Sequence, residues 1–334
     1  GSGRPDFPFC ICWANENWTR RWDGKDKEIL IQQHYSEQDD REHIRSLNPI
    51  FQDERYIRIN GKRFFLVYRT SDLPDPARTA EIWREEARNA GLGELHLCRV
   101  ESMDKPDPRD IGFDSALEFA PDWYHRGKEL KGGSDLPADA SNELRAACEE
   151  NHIHYYAHLA EAMMNKSTPA YKRFRCVTPT WDNWARRKKG AAIFLGSTPE
   201  KYGSWLLRMI NHTHTQFHGE ERVLFINAWN EWAEGCHLEP DQKFGHSYLK
   251  ATLQAVEESK RVSARWQGRD NNARISQMMN RIVDYRNQLD QLDAKITRRE
   301  EKIDEMLNST SWRLTAPVRW FKQHWLDLKD RFSG

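Results

Sequence analysis

The sequence lacks net charge, because 51 lysine and arginine residues balance 51 aspartate and glutamate residues. A chain with balanced charge has no overall attraction to nucleic acid, so we expect no nucleic-acid partner. No apolar run reaches the roughly 18 residues that are needed to cross a bilayer. Neither a signal peptide nor an initiator methionine opens the sequence. We therefore expect no membrane-spanning segment.

Cysteine is scarce, and its spacing fits no metal centre. The six cysteines are scattered, and none of them shows the paired spacing of zinc ligands. Cys10 and Cys12 would share one face of a predicted strand and lie too close for ordinary disulfide geometry. We therefore expect reduced thiols in a cytoplasmic protein that uses neither a metal nor another cofactor.

Tryptophan, by contrast, is abundant. The chain holds 14 tryptophans in 334 residues, more than a core of this size needs. Sugar-binding clefts are one place where such a surplus is used, because an indole ring stacks well on a sugar ring. The length suits one barrel-sized domain with an appendage.

The segment RVLFINAWNEWAEGCHLEPD, residues 222–241, combines a buried strand with a cluster of acids. The apolar run 223–228 is typical of a fully buried strand, and Glu231 and Glu234 follow its end. A helical turn there would bring the two carboxyl groups to one face. Two carboxyl groups beside a sugar can break a glycosidic bond. We predict that these are the catalytic residues, although a solvated acidic helix start is the alternative.

A second strand end repeats this combination. The run 7–13 is short and apolar, and Trp13, Asn15, Glu16 and Trp18 lie at or after its end. Amides and carboxylates can bind sugar hydroxyls, and indole rings can stack on the sugar. We predict that these side chains line the site. The alternative is that the segment forms only a turn or a helix cap.

Two further strand ends carry candidates. Tyr68 is the last residue of the apolar run 64–68, and Arg69 follows it. Both could face the site, or they could form an ordinary strand-end pair. The run 173–180 leads to a Trp-Asp-Asn-Trp sequence and then to the basic residues 186–189. That basic run could contact a phosphate of a nucleotide- or lipid-linked sugar, and a solvated patch is the alternative.

The segment NEWAEGCHLEP, residues 230–240, resembles the NEWHEG and IEP motif of the glycoside hydrolase family 99 endo-α-mannosidases. A fuller resemblance, over residues 5 to about 253, is to the WbsX-like family of bacterial polysaccharide-biosynthesis proteins, often labelled glycosyltransferases. It includes FPFCICWANENWTRRWDG at 7–24, RYIRINGKRFFLVYR at 55–69 and TPTWDNWARR at 178–187. The mannosidase motif has a histidine where this chain has Ala233.

The resemblance implies a role for each acid. In the mannosidases the first glutamate of the motif acts as base on the 2-hydroxyl of the sugar, and the second acts as acid and then base, with net retention. Carried over, Glu231 is the base and Glu234 the acid and base. The residues that would line the sugar subsites are Trp13, Asn15, Glu16, Trp18, Tyr68, Arg69, Trp181, Asp182, Asn230, Trp232 and Glu239.

The expected function is that of a carbohydrate-active enzyme with retaining hydrolase or transferase chemistry at α-mannoside-like linkages. Its partner would be an oligosaccharide, a polysaccharide or a lipid-linked glycan, in bacterial cell-surface polysaccharide or lipopolysaccharide O-antigen biosynthesis. The alternative is a non-catalytic sugar-binding scaffold, which the change to Ala233 favours.

Strands alternate with helices along residues 1–262, which predicts an α/β fold of the (β/α)8 TIM-barrel type. The sequence supplies six barrel strands, which begin near Phe7, Phe64, Leu95, Phe113, Arg173 and Val223. The WbsX-like proteins carry a further segment before the equivalent of Phe7 that holds the two other strands. We therefore expect an N-terminally truncated barrel with little activity of its own; a barrel closed by other segments is the alternative.

Helical periodicity also predicts a helix over residues 151–164. His154 and His158 would then have the i,i+4 spacing of a metal-binding pair. No HExxH motif surrounds them, so we expect surface or packing histidines.

The sequence pattern changes after the barrel. Apolar residues at seven-residue intervals predict a coiled coil over residues 263–308, which could form a homodimer. A single helix that folds back on the barrel is the alternative. Residues 309–334 carry an apolar stripe flanked by lysine and arginine. Such a tail could lie on the inner face of the membrane or dock on a partner protein.

Overall fold

The computed structural model describes residues 5–20, 25–103, 106–131, 135–136, 141–187 and 189–266. The predicted tail, and the predicted coiled coil except for its first four residues, lie outside these ranges. Among the described residues, no helix is both long enough and apolar enough to cross a membrane.

The strands are short and are distributed along the whole described chain. In chain order they are β1 (Ile11–Trp13), β2 (Trp18–Arg20), β3 (Lys25–Ile31), β4 (Arg58–Ile59), β5 (Lys62–Val67), β6 (Leu95–Glu101), β7 (Ser115–Glu118), β8 (Glu129–Leu130), β9 (His152–Tyr155), β10 (Arg173–Val177), β11 (Ala192–Leu195), β12 (Leu224–Ile226), β13 (Asn230–Glu231) and β14 (Cys236–His237).

The helices lie between these strands. They are α1 (Glu37–Phe51), α2 (Pro76–Asn89), α3 (Asn142–Glu150), α4 (Tyr156–Met164), α5 (Pro199–Gln216) and α6 (Ser247–Trp266). Three of them begin at a side-chain cap, because Ser36, Asp75 and Thr198 each accept a hydrogen bond from the backbone three residues later.

Six parallel strands form the main sheet in the order β1, β5, β6, β7, β10 and β12, and β4 pairs with β5 as an antiparallel hairpin. Their spatial order is their chain order, as in a singly wound α/β barrel. The six predicted barrel strands are therefore confirmed. Both β1 and β12 are sheet edges within the described chain, so the alternative of a barrel closed by other segments is wrong.

Neighbouring residues of the central strands point to opposite faces of the sheet. On β5, Phe64 and Leu66 pack in one core cluster together with residues of α4 and α5. Phe65 and Val67 pack in the other, which contains residues of α1 and α2. Both faces are apolar, as expected for parallel strands that are buried on both sides.

The predicted helix over residues 151–164 is wrong in its first part. Residues 152–155 form the strand β9, which pairs in parallel with β11 and antiparallel with β8, and the helix α4 begins only at Tyr156. His154 is a buried strand residue whose ring stacks on Phe194 at 5.3 Å. A helical i,i+4 relation with His158 therefore does not exist.

Candidate functional site

A cleft of about 250 Å³ opens at the carboxyl ends of the parallel strands. Tyr68 and Arg69 come from the end of β5, Phe119 from the end of β7, Trp181 from the segment after β10, and Glu234 from the segment after β12. Parallel α/β sheets bind ligands at this edge, because the loops that leave the strands meet there.

A larger groove of about 480 Å³ lies between α5 and α6. Its lining contains neither an aromatic nor an arginine side chain, and it lies on helices rather than at strand ends. It therefore offers no sugar platform and no strand-end residues, and we take the cleft as the candidate site.

Aromatic side chains form one wall of the cleft. Phe119 lies 6.0 Å from Tyr68 and 6.4 Å from Trp123, measured between ring centroids, and Trp123 lies 5.5 Å from Trp181. Trp181 is fixed by its backbone oxygen, which accepts a hydrogen bond of 3.0 Å from Phe194 of β11. An aromatic wall of this kind suits the apolar face of a sugar ring.

Glu234 is the one acid among the described residues that line the cleft. The Glu234 side chain is 23% exposed, and its Oε1 accepts a hydrogen bond of 2.9 Å from Nη1 of Arg186. Its backbone oxygen accepts a hydrogen bond of 2.8 Å from the amide of Asp182. The two contacts hold both the backbone and the side chain of Glu234 at the cleft.

Gly235 allows this close approach. Its φ of +57° is in the left-handed region, and a Cβ added there would lie 2.6 Å from the backbone oxygen of Asp182. The next residue, Cys236, is buried, and its Sγ lies 3.1 Å from Oγ1 of Thr178. Burial raises the pKa of the Cys236 thiol to about 12, so it packs as a neutral group. Together these contacts fix the Glu234 segment against the loop after β10.

Glu231 lies outside the cleft lining. The chain at 230–231 is extended and forms β13, in which Asn230 pairs with His237 and Glu231 with Cys236. Both Asn230 and Glu231 are exposed. A short 3-10 turn begins only at Trp232 and carries Glu234 into the cleft. The local helical turn predicted from the sequence therefore exists, but it starts after Glu231.

Trp232 and Glu239 lie together beside β13. The Trp232 ring stacks on His237 with centroids 3.8 Å apart, and its Nε1 donates a hydrogen bond of 2.7 Å to Oε2 of Glu239. Asp182 is exposed, and its Oδ1 accepts a hydrogen bond from the amide of Trp184. None of these three predicted binding residues is part of the cleft lining.

Asn15 and Glu16 contact Arg69, a residue of the cleft lining, but do not line the cleft themselves. Asn15 is fully buried and makes two hydrogen bonds to the backbone of Arg69, at 2.7 and 2.8 Å, so it joins the ends of β1 and β5. Oε1 of Glu16 accepts a hydrogen bond of 2.8 Å from Nε of Arg69. Both predicted binding residues therefore position Arg69, which lines the cleft.

Trp13 and Trp18, the two tryptophans predicted to line the site from the end of the first strand, are not part of the cleft lining. Trp13 packs against His43 at 4.3 Å and Trp83 at 5.7 Å, between ring centroids, in the core beside α1 and α2. Trp18 is on β2 and is exposed.

Several lining residues were not predicted as site residues. They are Met103, Phe119, Trp123, Arg126, His152, Asn183, Arg186, Arg187, Gly190 and Ala192. Phe119 ends a predicted strand, and Arg186 and Arg187 begin the basic run, so the sequence held a signal for these three. Arg126 and His152 come from segments without such a signal. Within the described ranges, no group of three or more His, Cys, Asp or Glu side chains is placed to hold a metal ion.

Comparison with protein families gives the same result as the motifs. The family model described as Glycosyltransferase WbsX matches residues 1–252 of the chain. The chain belongs to the WbsX glycosyltransferase family. The predicted resemblance to this family is therefore confirmed.

Relatives of this WbsX-family chain include the protein WxcX of two strains of Xanthomonas campestris pv. campestris, B100 and ATCC 33913. Each is 39% identical over 250 residues, which are 75% of this chain and 35% of WxcX. The chain thus spans about a third of the length of these relatives.

Among solved structures, the chain is similar to the GH99 endo-α-mannosidase from Bacteroides thetaiotaomicron, with 17% identity, a TM-score of 0.43, and coverage of 70% of this chain and 65% of that one. It is also similar to a glycoside hydrolase-like protein, with 13% identity, a TM-score of 0.43, and coverage of 65% and 60%.

Proposed function

We propose that this WbsX-family chain binds a glycan in the cleft and carries out glycosyl transfer or hydrolysis at an α-mannoside-like linkage. The process would be the assembly or trimming of a bacterial surface polysaccharide, such as an O-antigen. One observation carries the proposal: Glu234 lies beside an aromatic wall at the carboxyl ends of the parallel strands. Membership of a family named for glycosyl transfer supports it.

In the proposed reaction, Glu234 protonates the oxygen that leaves the sugar and later takes a proton from the incoming water or sugar hydroxyl. Nη1 of Arg186 donates a hydrogen bond of 2.9 Å to Oε1 of Glu234 and would hold the carboxyl group in position during these steps.

Glu231 would take the proton of the 2-hydroxyl of the same sugar while that oxygen bonds to the anomeric carbon and the leaving oxygen departs. The anhydro-sugar that results is reopened by the incoming hydroxyl, and the proton returns from Glu231 to the 2-oxygen. The exposed position of Glu231 on β13 requires the glycan to extend from the cleft over the β13–β14 hairpin. Trp229 and Trp232, 52% and 48% exposed, provide aromatic surface at this hairpin. A glycan held there would lie on apolar faces while its hydroxyls reach the neighbouring acids.

The test is turnover followed by product mass. The chain, and a protein of the length of WxcX that contains it, are incubated with α-mannosides and candidate acceptor sugars. We expect Glu234→Gln to lower kcat about 10²- to 10⁴-fold, because general acid and base catalysis is lost. Full activity of that variant would refute the assignment. The product mass distinguishes addition of water from addition of a sugar.

A second candidate function is a non-catalytic sugar-binding scaffold. It is favoured by the observation that only one acid of the predicted pair lines the cleft of a sheet with two open edges. Catalysis needs both groups held within about 0.5 Å of the productive geometry. Glycan binding without turnover, at both chain lengths, would support the scaffold.

The proposed setting is the cytoplasm, with a homodimer formed through residues 263–308 and contact with the inner membrane face through residues 309–334. Sedimentation of the chain with and without residues 263–334 tests the dimer. Flotation with anionic vesicles, comparing the chain with a version that ends at residue 308, tests the membrane contact. Equal recovery of both versions would exclude the tail as the membrane-binding element.

A further inference from the structure

The described residues that line the cleft carry more positive than negative charge. Its lining includes Arg69, Arg126, Arg186 and Arg187, and the only acid among its described lining residues is Glu234. The four guanidinium groups come from three different loops, which follow β5, β7 and β10. The fold therefore brings these four arginines to one cleft, although they come from separate segments of the sequence.

Two of the four arginines have an acidic partner. Nε of Arg69 lies 2.8 Å from Oε1 of Glu16, and Nη1 of Arg186 lies 2.9 Å from Oε1 of Glu234. His152, which also lines the cleft, has its Nδ1 2.5 Å from Oε1 of Glu129. Glu234, the one acid among the described lining residues, is therefore already paired.

Arg126 and Arg187 form no ion pair with any residue in the described part of the chain. Arg126 is half-buried, on the loop between β7 and β8, and Arg187 is exposed, on the loop between β10 and β11. The described residues of the cleft therefore leave two positive charges without an opposite charge.

A guanidinium group presents a planar set of donors that matches a carboxylate or a phosphate, and such charge-assisted hydrogen bonds are stronger than those to a neutral hydroxyl. A concave site with charge of one sign also raises the local concentration of ligands of the other sign. A neutral sugar would make less use of this arrangement than an acidic one.

We infer that the cleft binds an acidic glycan, in which an oxyanion, either a uronic-acid carboxylate or a phosphate, lies between Arg126 and Arg187 while the sugar ring lies on the aromatic wall. This inference rests on the proposed function, because it assigns a substrate class to the same cleft. It adds that the ligand is anionic.

The test is an array of matched glycans, probed with the full chain. Each uronic-acid oligosaccharide is printed beside its carboxyl-reduced form, and each sugar phosphate beside its dephosphorylated form. We expect the acidic member of a pair to bind about ten-fold or more tightly, as charge-assisted hydrogen bonds predict. A preference in the first arm identifies a carboxylate, and a preference in the second identifies a phosphate.

The variants Arg126→Gln and Arg187→Gln locate the effect. We expect each to reduce the preference for the acidic member roughly ten-fold, with Arg187→Lys intermediate, because lysine keeps the charge but not the planar donors. Arg208→Gln is the control, since Arg208 is exposed on α5, outside the cleft. Circular dichroism of each variant verifies that it is folded.

Equal binding of acidic and neutral members would overturn the inference and leave the proposed function intact. A preference that persists in both glutamine variants would also overturn it. Absence of binding to every glycan on the array would overturn the inference and the glycan site together.

Discussion

Two charged regions of the molecule differ in how their charges are paired. On one side of β7 and β10, Lys166 Nζ lies 2.7 Å from Oε1 of Glu118 and 2.5 Å from Oδ2 of Asp122, and Nε of Arg175 lies 3.0 Å from Oε2 of Glu118. These four side chains are at most 3% exposed. At the carboxyl ends of the strands, the cleft instead contains cations without acidic partners.

The difference has a physical cause. A buried charge without a partner costs several kcal/mol, so a charge in the interior persists only when it is paired. A partly exposed charge is still solvated, and it can remain unpaired until a ligand arrives. Removal of one partner from the buried network therefore leaves an uncompensated interior charge, whereas the unpaired arginines of the cleft are free to contact the anionic ligand proposed above.

The largest effect on stability is expected from breaking the buried network. Lys166→Met would leave Asp122 and Glu118 without their shared cation, and we expect it to lower the free energy of unfolding by about 3–5 kcal/mol. Urea denaturation measures it. The control is Arg78→Met at the exposed Arg78–Glu37 pair, which should change stability little. Equal effects of the two variants would remove the contrast between buried and exposed charges.

A smaller effect is expected where the cleft depends on a close backbone approach. Gly235→Ala places a Cβ against the backbone oxygen of Asp182 at a positive φ, and we expect a loss of about 1–3 kcal/mol and displacement of Glu234. Gly219 is the matched control, because its φ is +55° and its Cβ would meet no atom within 4 Å.

Gly219→Ala therefore carries only the backbone cost of about 1 kcal/mol. Thermal unfolding of both variants, with glycan binding measured on each, separates strain from the clash. If Gly219→Ala destabilised the chain as much as Gly235→Ala, the contact with Asp182 would have no special role.

The smallest effect on stability is expected at the cleft pair. Arg186 and Glu234 are 31% and 23% exposed, so Arg186→Gln should change the free energy of unfolding by less than about 1 kcal/mol. Urea denaturation measures this change. A loss of several kcal/mol would show that the pair behaves like the buried network and not like an exposed contact.

Much of the fold could be predicted from sequence. The apolar runs identified all six strands of the parallel sheet. A strand that is buried on both faces is a continuous run of apolar residues, and this run can be recognised without knowing which strands pair with it. The error at residues 152–155 has the opposite origin. That stretch is a strand because β8 and β11 pair with it, and pairing with distant segments leaves no local periodicity.

The candidate site could be predicted only in part. Tyr68, Arg69, Trp181 and Glu234 line the cleft, and each follows a strand that the sequence identified. Asn15 and Glu16 follow the first strand equally well, yet they support Arg69 from behind. Strand ends indicate which residues are near the site, and side-chain contacts decide which of them reach it.

The sequence by itself determined the six parallel strands, because a buried strand is a local apolar run, and its motifs identified a glycosyltransferase family. Only the tertiary structure decided that Glu234 enters the cleft while Glu231 stays exposed, and that Arg126 and Arg187 line the same cleft. Convergence of side chains from separate loops depends on how the strands pack, and packing joins residues that local sequence patterns cannot relate.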